Sequence, residues 1–205
     1  MSADPSRSAV AQARAVDARV GEPSEEAVDV GAHPMQDPTR IDIAVDPTHQ
    51  RMVGVSAHGL HEFDVPFVSQ IADNLWLGGC EDGLVLPEFI EHLVSLYPWE
   101  RYEVRHQLRS RTEVRMLDSV DQGFEQVDEL AVWVNECRHT GPVLVHCQAG
   151  LNRSSLVAAR ALMLAGATAD DAISTIRARR SPVCLCNPSF EHWLREHDEA
   201  DPCRS

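Results

Sequence analysis

Between residues 141 and 166 a short apolar run, PVLVH (142–146), opens at Gly141-Pro142 and leads through a small loop into RSSLVAARALMLA (153–165), a segment that is apolar on nearly every side. A run that short and that apolar, bounded by Gly-Pro, has the profile of a central strand buried on both faces. A helix without a polar face must also be buried, and Gly166 is placed to serve as its C′ residue. Both ends of the loop are therefore anchored in a core. A strand buried on both faces requires a sheet that helices cover, which excludes most all-β and all-α solutions.

The flanking chain supplies matching elements. FVSQIADNLWLGG (67–79) reads as two short strands around the turn signal Asp73-Asn74. EHLVSLYP (91–98) reads as a buried strand ended by Pro98, and TEVRML (112–117) as another. From Gln122 the spacing turns helical, with Phe124, Val127, Leu130, Ala131, Val134 and Cys137 on one face, and it predicts a stop near His139. Thr168 and Asp171 resemble a capping box, and Asn187-Pro188 forms an N-cap and N1 pair opening a last helix. The expected fold class is α/β, a central and mostly parallel sheet flanked by helices, over residues 67–199. A hydrophobic content of 43% in 205 residues is enough for such a core.

Upstream the composition shifts. Residues 1–40 are rich in Ala, Ser, Pro, Asp and Glu, cannot bury enough apolar surface to offset ordering entropy, and are expected to be a disordered acidic tail. IDIAV, DPTHQ and RMVGVSA (41–57) predict two short strands around a turn, so 41–66 is expected to be a hairpin or linker, and a lone hairpin would need something to dock on. Residues 200–205 form a C-terminal tail.

The formal net charge is −14, and all 18 basic residues are Arg, which argues against a nucleic-acid partner. No run of 18 or more apolar residues exists, so no membrane association is expected, and the first residues, MSADPSRSAV, lack the apolar region of a secretory signal. The six cysteines (80, 137, 147, 184, 186 and 203) show neither CxxC nor zinc-finger spacing, and His33, His49, His58, His61, His92 and His106 show no metal-ligand spacing. A cytoplasmic, reducing setting with no metal and no cofactor is the expectation.

The chemistry concentrates in His146-Cys147-Gln148-Ala149-Gly150-Leu151-Asn152-Arg153-Ser154. A loop of this length between a strand and a helix can curl so that its N–H groups, from Gln148, Ala149, Gly150, Leu151, Asn152 and Arg153, converge on one point. The helix adds its own N-terminal N–H groups and positive dipole end, making an anion-binding bowl. Gly150 can take the positive φ that a tight loop requires. The donors that hold a phosphate would also hold Cys147 as a thiolate. Arg153 offers a planar fork to two phosphate oxygens, and the Ser154 hydroxyl can donate to the sulfur. A single cysteine at a strand end is usually a small buried hydrophobe. Five residue types at fixed offsets outweigh that reading here.

HCQAGLNRS matches the HCxxGxxR[ST] signature and resembles the protein tyrosine phosphatase superfamily, the short dual-specificity phosphatases more than the larger classical enzymes. The resemblance covers about residues 67–197. SQIADNLWLGG looks like the family's opening strands, with Trp76 where an aromatic is usual; MLDS (116–119) falls where the family has its acid loop; NPSF (187–190) resembles the segment supporting the signature loop. It implies hydrolysis of phosphorylated protein substrates, or of small phosphomonoesters, through a phosphocysteine intermediate. It also implies that His146 orients the loop and that Asn187 supports it. The leaving oxygen needs a proton, and Asp118, after TEVRML and 29 residues before Cys147, is the candidate acid and later base, with Asp121 on the same loop as the alternative. The loop carries no Lys or second Arg, which disfavours phosphoinositides. Two weaker signals remain: Cys184 and Cys186, as redox partners of Cys147 or small core residues on a short strand, and Arg101, Arg105, Arg109, Arg111 and Arg115, as a steering patch or a solvated surface.

Overall fold

The computed structural model describes residues 37–198. The tail expected over most of 1–40, the tail at 200–205 and Cys203 lie outside the described residues.

The element order begins with three strands, β1 (Ile43–Asp46), β2 (Arg51–Val55) and β3 (Glu62–Pro66). They form a small antiparallel sheet in that order. The expected hairpin of β1 and β2 is present, and β3 extends it. Sequence reading missed β3, although EFDVP alternates strictly, with Phe63 and Val65 inward and Glu62 and Asp64 outward. Met52 pairs with Val65 and Gly54 with Phe63, so Met52, Phe63 and Val65 join one buried face that belongs to the common core. The sheet docks through that face.

The main sheet has five strands in the order β4-β5-β8-β6-β7: β4 (Val68–Ala72), β5 (Leu75–Gly79), β6 (His92–Ser95), β7 (Ser110–Glu113) and β8 (Val143–Cys147). Strands β4 and β5 are antiparallel around Asp73-Asn74, where Asn74 takes φ 55°, a conformation that Asn tolerates. All other pairs are parallel. Strand β8 lies at the centre and every residue of it is buried, as its apolar run requires. Strand β7 begins two residues earlier than TEVRML predicted. As an edge strand it tolerates the polar, alternating SRTE. The predicted residues still bond alongside β6, through Val114 N to Ser95 O (2.8 Å) and Met116 N to Leu96 O (3.4 Å).

The helices are α1 (Val127–Arg138), α2 (Arg153–Leu164), α3 (Ala169–Arg179) and α4 (Pro188–Glu196). Helix α2 is buried nearly all round and packs against α1, α3, α4, β5 and β8. Helix α1 starts later than the periodicity suggests: the Gln122 side chain accepts from Leu117 N (2.7 Å) in the preceding loop and donates to the carbonyl of the next residue, Gly123 (2.8 Å). Gly166 follows α2 with φ 104°, Thr168 caps α3, and Asn187 with Pro188 opens α4. No helix among the described residues is long and apolar enough to cross a membrane.

Candidate active site

Cys147 ends β8, in register with Gly79 of β5, at the carboxyl edge of the parallel strands, where open α/β sheets bind ligands. The loop after it is held from outside. The carbonyls of Gln148 and Leu151 accept from the backbone N–H groups of Cys80 and Leu185, each at 2.9 Å. The carbonyls of Ala149 and Gly150 accept from the Arg180 guanidinium at 2.8 and 2.5 Å. In a trans peptide the carbonyl and the next N–H point in opposite directions. Tying these carbonyls outward therefore turns the amides of Ala149, Gly150, Leu151 and Asn152 inward. Gly150 takes φ 71°, and a Cβ there would stand 2.4 Å from Gly78 O and 2.5 Å from Arg180 Nη2.

Cys147 is buried and its Sγ lies 3.4 Å from Ser154 Oγ. Arg153, the first residue of α2, is buried over the Tyr97 ring at 4.9 Å, and Cys147 and Arg153 line the same narrow cavity of about 10 Å³, room for roughly one water. His146 points into the interior, edge-on to Tyr102 (5.2 Å between centroids), whose hydroxyl donates to Gly79 O. Burial pushes its imidazole down to about 3, against a hydrogen bond to the Cys147 backbone that opposes the shift, so it is neutral at pH 7.

Asp118 lines the cavity from the loop after β7. Its carboxylate accepts from Asn152 Nδ2 (2.9 Å) and Asn187 Nδ2 (3.0 Å), and His58 Nε2 lies 3.1 Å from it and 2.9 Å from the Asp118 carbonyl. Asn187 is fully buried; its side-chain oxygen also caps α4. The Asn152 side chain therefore faces Asp118 and Asn187, leaving only its amide for the bowl. Asp121 is exposed and is not among the residues lining the cavity.

The upstream segment closes the site. Ile41 N donates to Gln148 Oε1 (3.0 Å) and Gln148 Nε2 donates to Ile41 O (2.7 Å), while Thr39, Ile41, Ser56 and Ala57 line the cavity. Asp37, inside the stretch expected to be disordered, is buried against Arg153. A lone acidic residue in a polar stretch carries no signal of burial, since its partner lies 116 positions away. Arg180 and His58 were missed for the same reason.

The structure also places the residues of the two weaker signals. Arg105 pairs with Glu103 and Arg109 with Glu91, Arg101 and Arg111 share Glu113, and Arg115 lies over Trp99 at 5.0 Å, so the stretch is only partly charge-compensated. Cys184 and Cys186 sit on a turn rather than a strand, around Leu185 with φ 59°. Cys184 is buried, and Cys186 faces the Asn152 side chain. Both are free thiols, as is Cys147.

An anion bowl built around a thiol and a guanidinium, at the carboxyl end of the central strand of a helix-covered sheet, defines the class of cysteine-based phosphatases. The family model for the dual specificity phosphatase catalytic domain matches residues 90–200, more than half of the chain. The chain therefore belongs to the dual specificity phosphatase family, in the protein-tyrosine/dual-specificity class of phosphatases. Among solved structures it is similar to human DUSP28 (20% identity, TM-score 0.57, covering 66% of this chain and 95% of that one). It is also similar to the human tyrosine phosphatase-like serine/threonine/tyrosine-interacting protein (20%, 0.55, 63% and 94%) and to DUSP15 (21%, 0.51, 63% and 85%). At these identities the likeness is one of fold. No curated protein matches the chain.

Proposed function

We propose that this protein hydrolyses phosphomonoesters on proteins, phosphotyrosine first and phosphoserine or phosphothreonine also, through a phosphocysteine intermediate and in the cytoplasm, where thiols stay reduced. The observation that carries this reading is the loop itself: carbonyls tied outward, amides turned inward, with the Cys147 sulfur and the Arg153 guanidinium facing one cavity.

The Cys147 thiolate attacks phosphorus, the bond to the ester oxygen breaks, and Asp118 gives that oxygen a proton. The loop amides and Arg153 hold the non-bridging oxygens as charge shifts among them. Water then attacks the phosphocysteine, Asp118 takes its proton, and the sulfur leaves with a hydrogen bond from Ser154. His146 shapes the loop, because burial keeps it neutral and away from proton transfer. A recessed sulfur suits the longer aryl ester of phosphotyrosine; Cys147 is 2% exposed.

p-Nitrophenyl phosphate hydrolysis in EDTA is the test. The wild type is expected to release nitrophenol, Cys147→Ser to release none, and Asp118→Asn to turn over about a hundredfold more slowly. Phosphotyrosine and phosphoserine peptides then rank the substrates. Turnover that survives in Cys147→Ser would overturn the mechanism.

A further inference from the structure

Arg153 is held in an unusual way. Its Nη1 donates to Asp37 Oδ2 at 2.9 Å and to Met116 O at 3.2 Å, and both members of the ion pair are buried, with side chains 3% and 0% exposed. Its Nε is buried with no partner. In a guanidinium, Nη1 points away from the Nε–H, while Nε and Nη2 form the other edge, the fork that grips two oxygens at once. One edge is thus anchored, and the fork that a phosphate needs is left with an unsatisfied donor. A buried unpaired N–H of this kind calls for a ligand.

Asp37 is itself fixed. Its Oδ1 accepts from Thr39 N (2.8 Å) and Thr39 Oγ1 (2.6 Å), and Thr39 Oγ1 accepts from Asp118 N (3.0 Å). Two residues on, the Ile41 backbone is bonded in both directions by the Gln148 side chain. Residues 37–41 therefore link the phosphate clamp, the signature loop and the acid loop, although they lie upstream of the family-matched region.

We propose that Asp37 is a positioning residue of the active site: it holds Nη1 so that the Nε–Nη2 edge of Arg153 faces the substrate phosphate. This rests on the phosphatase reading above. The opposite role is a carboxylate that competes with phosphate for Arg153, and the two roles differ in sign. Removing a competitor tightens oxyanion binding. Removing a positioning group weakens it, even though it also removes a nearby negative charge.

The test measures the Kd of inorganic phosphate by calorimetry, together with KM and kcat on p-nitrophenyl phosphate, for the full-length wild type, Asp37→Asn and Thr39→Val. Asp37→Asn is expected to raise the phosphate Kd and KM about tenfold; Thr39→Val, which loosens Asp37 without removing it, shifts both in the same direction by less. Simple loss of folded protein would lower kcat and leave KM and Kd in place. An unchanged or tighter phosphate Kd in Asp37→Asn overturns the proposal. If Asp37→Asn fails to fold, the direction of the Thr39→Val shift decides. Were the wild type to lack turnover, the phosphatase reading would fall, and the calorimetric comparison would still decide the role of Asp37.

Discussion

At the scale of single residues, the site depends on which way a few carbonyls point. Arg180 is buried, and besides Ala149 and Gly150 it reaches Leu77 O, Pro66 O and Ser69 Oγ, at 3.2–3.3 Å. One guanidinium thus carries the underside of the bowl and ties it to β5 and to the end of β3. Gly150 stands between that guanidinium and β5 with no room for a methyl group. Gly150→Ala combines a left-handed backbone, about 1 kcal/mol or more for a residue with a Cβ, with a backbone clash. The loop must shift away from Gly78, and the inward amides move with it. We expect kcat/KM on p-nitrophenyl phosphate to drop at least tenfold, with a loss of about 2 kcal/mol in urea unfolding. Near-normal kcat/KM would mean that the loop is not held by these carbonyls. Gly150 was legible in the sequence because its offset from Cys147 is local. Arg180 was not, since nothing near it marks its side chain as buried under a loop 30 positions away.

At the scale of elements, Asn187 serves two structures at once. Its side-chain oxygen caps α4 by accepting from Ser189 N (3.2 Å), and its amide donates to Asp118. The two roles separate by substitution. Asn187→Ala loses both, with a cost of about 1 kcal/mol for the cap and a fall in Tm of about 2–4 °C. Asn187→Ser keeps a capping oxygen but is too short to reach Asp118. It is expected to recover most of the Tm by calorimetry while kcat stays several-fold low. Recovery of both would leave Asn187 a cap alone. This division also shows what periodicity and turn chemistry reveal. They found α2, α3, α4, the central strand and the β4–β5 turn, because these follow from local patterns of burial and capping. They misplaced the edge strand β7 and the start of α1, before which the Gln122 side chain bonds Leu117 N. Asp118, expected from its place after TEVRML and from the resemblance of MLDS to an acid loop, lines the cavity, but local patterns could not show that His58, from the β2–β3 turn, would meet it. That meeting depends on where the small sheet docks.

At the scale of the whole molecule, the buried site should set how stability responds to acid. Burial first, with Arg111 and Arg153 nearby, lowers the His146 imidazole to about 3 from 6.5, so between those values the unfolded chain binds a proton that the folded chain does not. Its contribution is complete above about 6.5 and is lost as the pH falls, with a slope of up to about 1.4 kcal/mol per pH unit. The net charge of −14 acts the other way, since neutralising carboxylates relieves self-repulsion. Among the described residues most carboxylates are at the surface, where they are screened beyond about 8–10 Å at physiological salt, whereas His146 is enclosed, so the histidine should win above pH 5. His92, also lowered by burial, adds in the same direction in either protein, so a variant isolates His146. Urea unfolding at pH 7, 6 and 5 is expected to show the wild type losing about 1 kcal/mol more per pH unit than His146→Asn. Parallel pH curves would mean that His146 takes up its proton without unfolding, and that the floor of the bowl is open to water.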